Sequence, residues 1–120
     1  MTDDLFKDIN MAGELEGLSD LEKKHLPVID APDSVKAGES FEVTVEVGRL
    51  LAHPNEPAHH IQWIRLLNGN LTLASIQLTP VATSPKVTVT VKLEKTTTLR
   101  AIARCNLHGE WVMAQEVKIL

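Results

Sequence analysis

Hydrophobic and polar residues alternate strictly along two stretches of the chain. Every second residue is apolar in Phe41–Val47, and the same holds in Val87–Leu93. A period of two places alternate side chains on opposite faces of an extended backbone. Each stretch therefore predicts a β-strand with one buried face and one face in solvent.

Further apolar stretches complete this pattern. His60–Leu67 is more uniformly apolar but still strand-like, and Asn68–Asn70 predicts a hairpin turn into Leu71–Leu78. Thr97–Arg104 and Val112–Leu120 follow as the last strands. Turn residues recur about every ten residues, which is typical of a sandwich. The predicted fold is all-β: an immunoglobulin-like antiparallel β-sandwich of about seven strands.

The beginning of the chain lacks this alternation. Residues 1–24 predict a polar N-terminal arm, followed by a single β-sandwich domain over residues 25–120. Ser19–Glu22 has the spacing of a capping box, which predicts a short helix over about 19–24. We expect this helix to end before His25–Pro27, because a residue that precedes proline disfavours the helical conformation.

Composition and charge narrow the function classes. The formal net charge of −4 disfavours nucleic acid as a partner, because that partner requires clustered basic residues. No apolar run approaches the roughly 20 residues of a membrane span. The segment MTDDLFKDIN has no signal-peptide core. A single cysteine cannot form an internal disulfide, so we expect a cytoplasmic protein.

Five histidines and this cysteine lie at predicted strand ends or in loops. They are His25, His53, His59, His60, Cys105 and His108. Two prolines, Pro54 and Pro57, restrict the loop that carries three of the histidines. Imidazole and thiolate are ligands that suit iron, copper and zinc. Structural zinc sites favour paired cysteines, and the chain has no C-x-x-C motif.

One interpretation of this set is a blue-copper electron carrier. The spacing of Cys105, His108 and Met113 is that of a copper-ligand loop, and His59 or His60 supplies an upstream imidazole. Two histidines, one cysteine and a distant methionine are the blue-copper arrangement. This interpretation leaves the other two histidines without a role, and the methionine also fits an ordinary core position. A sandwich domain that binds no metal is a third class.

A second metal interpretation uses more of the chain. The motifs Lys24-His25-Leu26-Pro27, His53-Pro54, His59-His60-Ile61-x-Trp63 and Cys105-Asn106-x-His108-Gly109 resemble the superoxide reductase family. The similarity is to the single-iron, neelaredoxin-like type, the iron-binding domain of desulfoferrodoxin. It covers residues 24–120, and its motifs fall in the family's order.

The resemblance implies one mononuclear iron per chain, cycling between Fe²⁺ and Fe³⁺. Four equatorial imidazoles would hold it, from His25, His53, His59 and His108. Cys105 would be the axial thiolate, opposite an open sixth position. The family reduces superoxide to hydrogen peroxide with one electron and two protons. The implied electron donor is rubredoxin or another small redox protein, and the implied assembly is a homotetramer.

Lys24 matches the family's lysine, which attracts superoxide and orders the open face of the iron. The sequence departs from the family at Lys23, where most members have a glutamate that caps the oxidised iron. Glu22 lies one residue earlier, and its alternative role is to partner Ser19 in the capping box. We therefore expect water, hydroxide or nothing to close the oxidised site.

Four neighbouring residues have expected supporting roles. His60 follows His59 directly, so on a strand it points to the opposite face and is not a ligand. Trp63 packs beside the iron or in the core. Asn106 and Gly109 are expected to shape the ligand loop. Backbone N–H groups near the cysteine are expected to donate hydrogen bonds to its sulfur.

Overall fold

The computed structural model describes residues 5–120. Two β-sheets face each other, and one short helix precedes the first strand. Helix α1 spans Asp20–His25, and the strands are β1 Pro27–Asp30, β2 Ser34–Val35, β3 Phe41–Val47, β4 Ile61–Asn68, β5 Leu71–Gln77, β6 Lys86–Val91, β7 Thr97–Cys105 and β8 Gly109–Ile119. The smaller sheet has the order β1-β3-β6 and the larger one β2-β8-β7-β4-β5. All pairings are antiparallel except that of β2 with β8.

The predicted all-β sandwich is confirmed, with eight strands in the described residues instead of about seven. The two strands without a sequence signal are β1 and β2. The first has only four residues and begins with Pro27, and the second has only two. Their pairing depends on distant partners in β3 and β8 and not on local periodicity.

The core lies between the two sheets. Val43, Val45 and Val47 of β3 are buried on one face, as the alternation predicts. They belong to the same apolar cluster as Ile64 of β4 and Cys105 at the end of β7. Each fully buried aliphatic side chain contributes about 1.5–3 kcal/mol relative to an exposed one. The cysteine is therefore fixed by the same packing that holds the sheets together.

Strand β4 is apolar on both faces, which accounts for its uniform sequence pattern. Its outward side chains Trp63 and Leu67 form a second buried cluster with Ile102. The guanidinium of Arg65 lies 4.0 Å from the centre of the Trp63 ring. The predicted hairpin is confirmed, since Gly69 and the next residue form a two-residue turn between β4 and β5.

The predicted short helix is also confirmed. Ser19 is its N-cap, and both hydrogen bonds of the capping box with Glu22 are present. His25 is the last helical residue, one later than expected, because the proline restriction falls on Leu26, whose ψ is 124°. The part of the predicted arm over residues 1–4 lies outside the described residues. No helix among residues 5–120 is long and apolar enough to cross a membrane.

Candidate metal centre

The histidine and cysteine side chains converge from three separate segments at one end of the sandwich. The C-terminus of α1 supplies His25, and the loop between β3 and β4 supplies His53 and His59. The end of β7 supplies Cys105, and the turn between β7 and β8 supplies His108. Each side chain thus lies at the end of a helix or strand or in a connecting loop.

Four imidazoles form a closed ring in the order His25, His53, His59, His108. Successive ring centroids are 4.7, 4.8 and 5.1 Å apart, and the last and first are 4.9 Å apart. The interplanar angles of these four pairs lie between 61° and 83°, so neighbouring rings meet edge to face. Such a ring encloses a space toward which the imidazole nitrogens can point.

The thiol of Cys105 lies against this ring and is fully buried. Its sulfur is 3.7 Å from Nδ1 of His108. One donor atom from each of His25, His53, His59 and Cys105 lies within 4.8 Å of the other three. The structure therefore brings together all five side chains that the resemblance implied as ligands.

Hydrogen bonds set the tautomers of two imidazoles. Nδ1 of His25 is 2.7 Å from the carbonyl oxygen of Leu21, and Nδ1 of His53 is 2.6 Å from that of Pro54. A carbonyl oxygen only accepts, so each Nδ1 carries the proton and each Nε2 keeps a free lone pair. These two Nε2 atoms are 3.2 Å apart. Both rings thus present a donor atom to the same space.

Burial favours the neutral form of three of these imidazoles, those of His25, His53 and His108. Burial lowers the pKa of His25 and of His53 to about 4 in each case. Burial, followed by the charges of His59 and Lys24, also lowers the pKa of His108. A neutral imidazole has the free lone pair that a metal requires, so the site favours metal binding near pH 7.

Burial also favours the neutral form of the thiol, which for this group is the protonated form that does not bind a metal. Burial raises the pKa of Cys105, while the backbone N–H groups of Leu107 and His108 lower it in part. These N–H groups match the expected donors to the sulfur. A buried thiol of this kind loses its proton when a cation binds, because metals bind the thiolate.

Asn106 ties the two ligand loops together. Its side-chain oxygen accepts from the backbone N–H of His60 at 2.8 Å, and its Nδ2 donates to the carbonyl of Ala58 at 2.9 Å. Its own backbone N–H donates to the carbonyl of His60 at 3.2 Å. The segment with the cysteine is therefore fastened to the segment with His59, in agreement with the expected role of Asn106.

Further contacts hold the loop from His53 to His59. Asn55 accepts from the backbone N–H of Val81 at 2.7 Å, and Glu56 and His59 exchange two backbone hydrogen bonds. Gly48 has a φ of +91°, and a Cβ there would lie 3.0 Å from the backbone nitrogen of His53. The prolines are thus only part of what fixes this loop. The absence of a side chain at Gly48 allows the backbone of His53 to pass close to it.

Comparisons with known proteins identify the family to which this chain belongs. A family model described as desulfoferrodoxin matches residues 18–114. The chain belongs to the desulfoferrodoxin family. The superoxide reductase of Pyrococcus abyssi is 34% identical over 118 residues, covering 89% of this chain and 94% of that protein. The neelaredoxin of Megalodesulfovibrio gigas is 33% identical over 115 residues, covering 81% and 88%.

Solved structures of this desulfoferrodoxin family give the same result. The superoxide reductase (neelaredoxin) from Ignicoccus hospitalis superimposes with a TM-score of 0.82 at 39% sequence identity. The match covers 93% of this chain and 95% of that one. The resemblance drawn from the sequence motifs is confirmed.

The donor set of this family member fits a single non-haem iron. Nε2 of His59 is buried and has no hydrogen-bond partner among the described residues. A buried polar nitrogen without a partner is costly unless another group satisfies it, and a metal ion does so. Four imidazole groups and one thiolate are nitrogen and sulfur donors that suit iron.

Trp111 forms a wall of the centre that was not recognised in the sequence. Its ring stacks on His25 at a centroid distance of 5.1 Å, and its Nε1 donates to the carbonyl of His108 at 3.0 Å. Gly109 and Trp111 are two residues apart on β8, so they share a face of the sheet. This shared face with Gly109, which follows His108 directly, was the sequence signal that could have placed Trp111 beside the centre. Trp63, for which the sequence left a position beside the iron or in the core, lies in the second buried cluster with Leu67 and Ile102.

Helix α1, which ends at His25, also carries Lys24 and Glu22, the two charged residues for which the sequence suggested a role at the iron. Lys24 is half-buried, and its charge lowers the pKa of His25 and His108, although burial is the larger cause in both. Glu22 accepts from the backbone N–H of Ser19 at 2.8 Å and from that of Gly13 at 3.0 Å. These two hydrogen bonds lower the pKa of Glu22. Its carboxylate is thus engaged at the helix N-terminus.

The residues specific to the copper hypothesis lie apart from the centre. Met113 pairs with Ala101, four residues before Cys105 and about 13 Å away along the strand. Nδ1 of His60 is 3.2 Å from the carbonyl oxygen of Glu56, outside the group of converging donor atoms. The blue-copper alternative therefore has no support in the structure.

Proposed function

We propose that this chain is a superoxide reductase. It converts superoxide, one electron and two protons into hydrogen peroxide at a mononuclear iron held by His25, His53, His59, His108 and Cys105. The observation that carries the proposal is the closed ring of four imidazoles with a buried thiol against it. Membership of the desulfoferrodoxin family supports it.

The protein prepares the site for an anion. Ferrous iron held by these residues would supply the electron for superoxide. Because burial keeps imidazoles such as His25 and His53 neutral, the single thiolate leaves a net positive charge around Fe²⁺. In a partly buried site this charge attracts an incoming anion despite the formal net charge of −4 on the chain.

Lys24 is the catalytic residue beyond the ligands in this proposal. Its ammonium group acts electrostatically on His25 and His108, which supports a position close to the centre. A half-buried cation there raises the local concentration of superoxide and can donate a hydrogen bond to the bound anion. We propose that Glu22 does not ligate the iron, since its carboxylate already accepts two backbone hydrogen bonds.

The partner in this proposal is an electron donor, because each turnover consumes one electron. Rubredoxin or another small redox protein fits this role. Leu107 is 50% exposed and lies between Cys105 and His108 in the sequence. It gives such a donor an apolar contact next to the buried sulfur.

We also propose a cytoplasmic homotetramer. Support for self-association comes from β5, an edge strand of the larger sheet. Its seven residues, Leu71–Gln77, contain no charged residue and no proline, which are the usual protections of a free edge. The other edge strands are short or carry such residues: β1 has Pro27 and Asp30, and β6 begins with Lys86. The cytoplasmic location rests on the single reduced cysteine.

The test combines a spectrum with a product count. We expect the oxidised, iron-loaded protein to give a high-spin ferric electron paramagnetic resonance signal. With a reductant present, each superoxide consumed should give one hydrogen peroxide. Half that yield, with oxygen released, would indicate a dismutase and contradict the proposal. A cupric signal with small hyperfine splitting would contradict the iron site itself.

A further inference from the structure

The N-terminal arm is attached to β8 directly after the turn that follows Cys105 and contains His108. Asn10 forms a parallel bridge with Trp111 of β8. The backbone N–H of Asn10 donates to the carbonyl of Glu110 at 2.7 Å, and its carbonyl accepts from Val112 at 3.0 Å. The arm therefore adds a short piece of strand to β8 across the residue that stacks on His25.

The side chain of Asn10 strengthens this attachment. Its Nδ2 donates to the carbonyl of Glu110 at 2.8 Å and to that of Leu5 at 3.0 Å. Gly109 has a φ of +78°, and a Cβ there would collide with the carbonyl of Leu5. The arm thus occupies the space that a side chain at the end of the ligand turn would fill.

The other end of the arm is fastened to the helix that supplies His25. The backbone N–H of Gly13 donates to Glu22 Oε2 at 3.0 Å. Since the same carboxylate accepts from Ser19 at the helix N-cap, the arm and the helix share one acceptor group. Residues 5–13 therefore run from the turn with Cys105 and His108 to the helix with His25.

Apolar packing contributes little to holding the arm. Met11 is 72% exposed and Ile9 is 40% exposed. A groove of about 330 Å³ remains open between these residues and Val112 and Met113 of β8. The hydrogen bonds of Asn10 and Gly13 attach the arm to β8 and to α1, and the Phe6 ring adds a contact with the guanidinium of Arg104, 5.4 Å from its centroid.

We infer that residues 5–13 form a strap that stabilises the metal centre, and that Asn10 is its positioning residue. The strap fixes Trp111 and Glu110, and through them the orientation of His25 and His108. This inference rests on the proposed iron site but not on the reaction carried out there. Partners outside the ligand set commonly change metal affinity by about 10–100-fold when they are removed.

The first experiment measures the release of iron from the full chain to a chelator. We expect Asn10→Ala to release iron about tenfold faster than the unmodified protein and to shift the thiolate-to-iron absorption band. Met11→Ala is the matched control, because this arm side chain is mostly exposed. Equal release rates and an unchanged band for Asn10→Ala would overturn the inference.

A second experiment needs no substitution. Coupling is reciprocal, so a strap that stabilises bound iron must itself be stabilised by iron. We expect the amide hydrogens of Asn10 and Val112 to exchange more slowly in the iron-loaded protein than in the metal-free one. Equal exchange in both forms would contradict the inference even if the substituted chain fails to fold.

The two proposals fail separately. If superoxide is reduced normally and Asn10→Ala releases iron at the original rate, the strap is wrong and the function stands. If the unmodified chain binds iron but does not reduce superoxide, while Asn10→Ala still releases iron faster, the function is wrong and the strap stands.

Discussion

The indole of Trp111 stacks on the imidazole of His25 with an interplanar angle of 24°. One edge of the same indole donates a hydrogen bond to the backbone of His108. A single buried aromatic side chain therefore supports two of the proposed ligands from different segments. Its size and its N–H group contribute separately, and substitutions can distinguish them.

Truncation of Trp111 should be costly. We expect Trp111→Ala to lower the free energy of unfolding by about 3–5 kcal/mol, because the ring is buried and its loss leaves a cavity. Trp111→Phe keeps an aromatic ring but loses the N–H donor and part of the indole volume, so we expect a smaller loss. Denaturant titration of the unmodified protein and the two variants measures both losses of unfolding free energy. Equal stability of the Ala and Phe variants would contradict the role of the ring.

Lys24 should control the rate of superoxide capture. We expect Lys24→Ala to slow superoxide consumption about tenfold at low ionic strength, because a steering charge is lost. The difference should shrink as salt is added. Lys23→Ala is the matched control on the same helix, and the ferric spectrum should be unchanged in both variants. Stopped-flow kinetics with an unchanged rate for Lys24→Ala at low salt would refute this role.

Two substitutions separate the proposed iron ligands from the copper alternative. Met113→Leu should leave metal content and spectrum unchanged, because its side chain lines the groove beside the arm. His53→Ala should weaken iron binding by more than the roughly 10–100-fold that loss of an outer partner costs. Metal analysis after dialysis measures both. A loss of metal from Met113→Leu would show that this ligand assignment is wrong.

The metal-free protein should lose stability in weak acid. His25 and His53 have pKa values of about 4 when folded, below the ordinary value of 6.5 that applies when the chain unfolds. Between these values the unfolded chain binds more protons, so stability is complete above pH 6.5 and falls as the pH drops toward 4. The slope should reach up to about 1.4 kcal/mol per pH unit for each imidazole. Denaturant titrations of metal-free protein from pH 7 to 4 test this, and His53→Ala should have a shallower slope.

The uncharged edge of β5 should contribute to assembly. Ser75 is exposed and pairs with Arg65 of β4, so a glutamate there is tolerated by the fold. We expect Ser75→Glu to lower the molar mass of the assembly, because a charge protects a free strand edge. Ser75→Thr keeps the edge neutral and is the control. Light scattering that gives the same mass for all three proteins would exclude this edge as an interface.

Local sequence patterns account for most of the strands, because each of them either buries one face, as β3 does, or is apolar on both, as β4 is. Strand β3 occupies Phe41–Val47, the bounds that the alternation predicted. The strands without a signal, β1 and β2, depend on partners far away in the chain. The five proposed ligands came from motif resemblance, since spacing alone left copper and iron open. The path of the arm followed from neither, because it depends on non-local pairing of Asn10 with Trp111, and Trp111 itself had only its parity with Gly109 as a signal.

The hydrogen bonds of Glu22 link the N-terminus of α1 to the N-terminal arm. The carboxylate satisfies two backbone donors, one of Ser19 and one of Gly13, and it cannot leave without exposing both. Any state that released this carboxylate would therefore loosen the N-terminus of the helix and the arm together. Fraying of α1 and detachment of the arm would then be a single equilibrium, and sequence changes at Ser19 or Gly13 would shift its population.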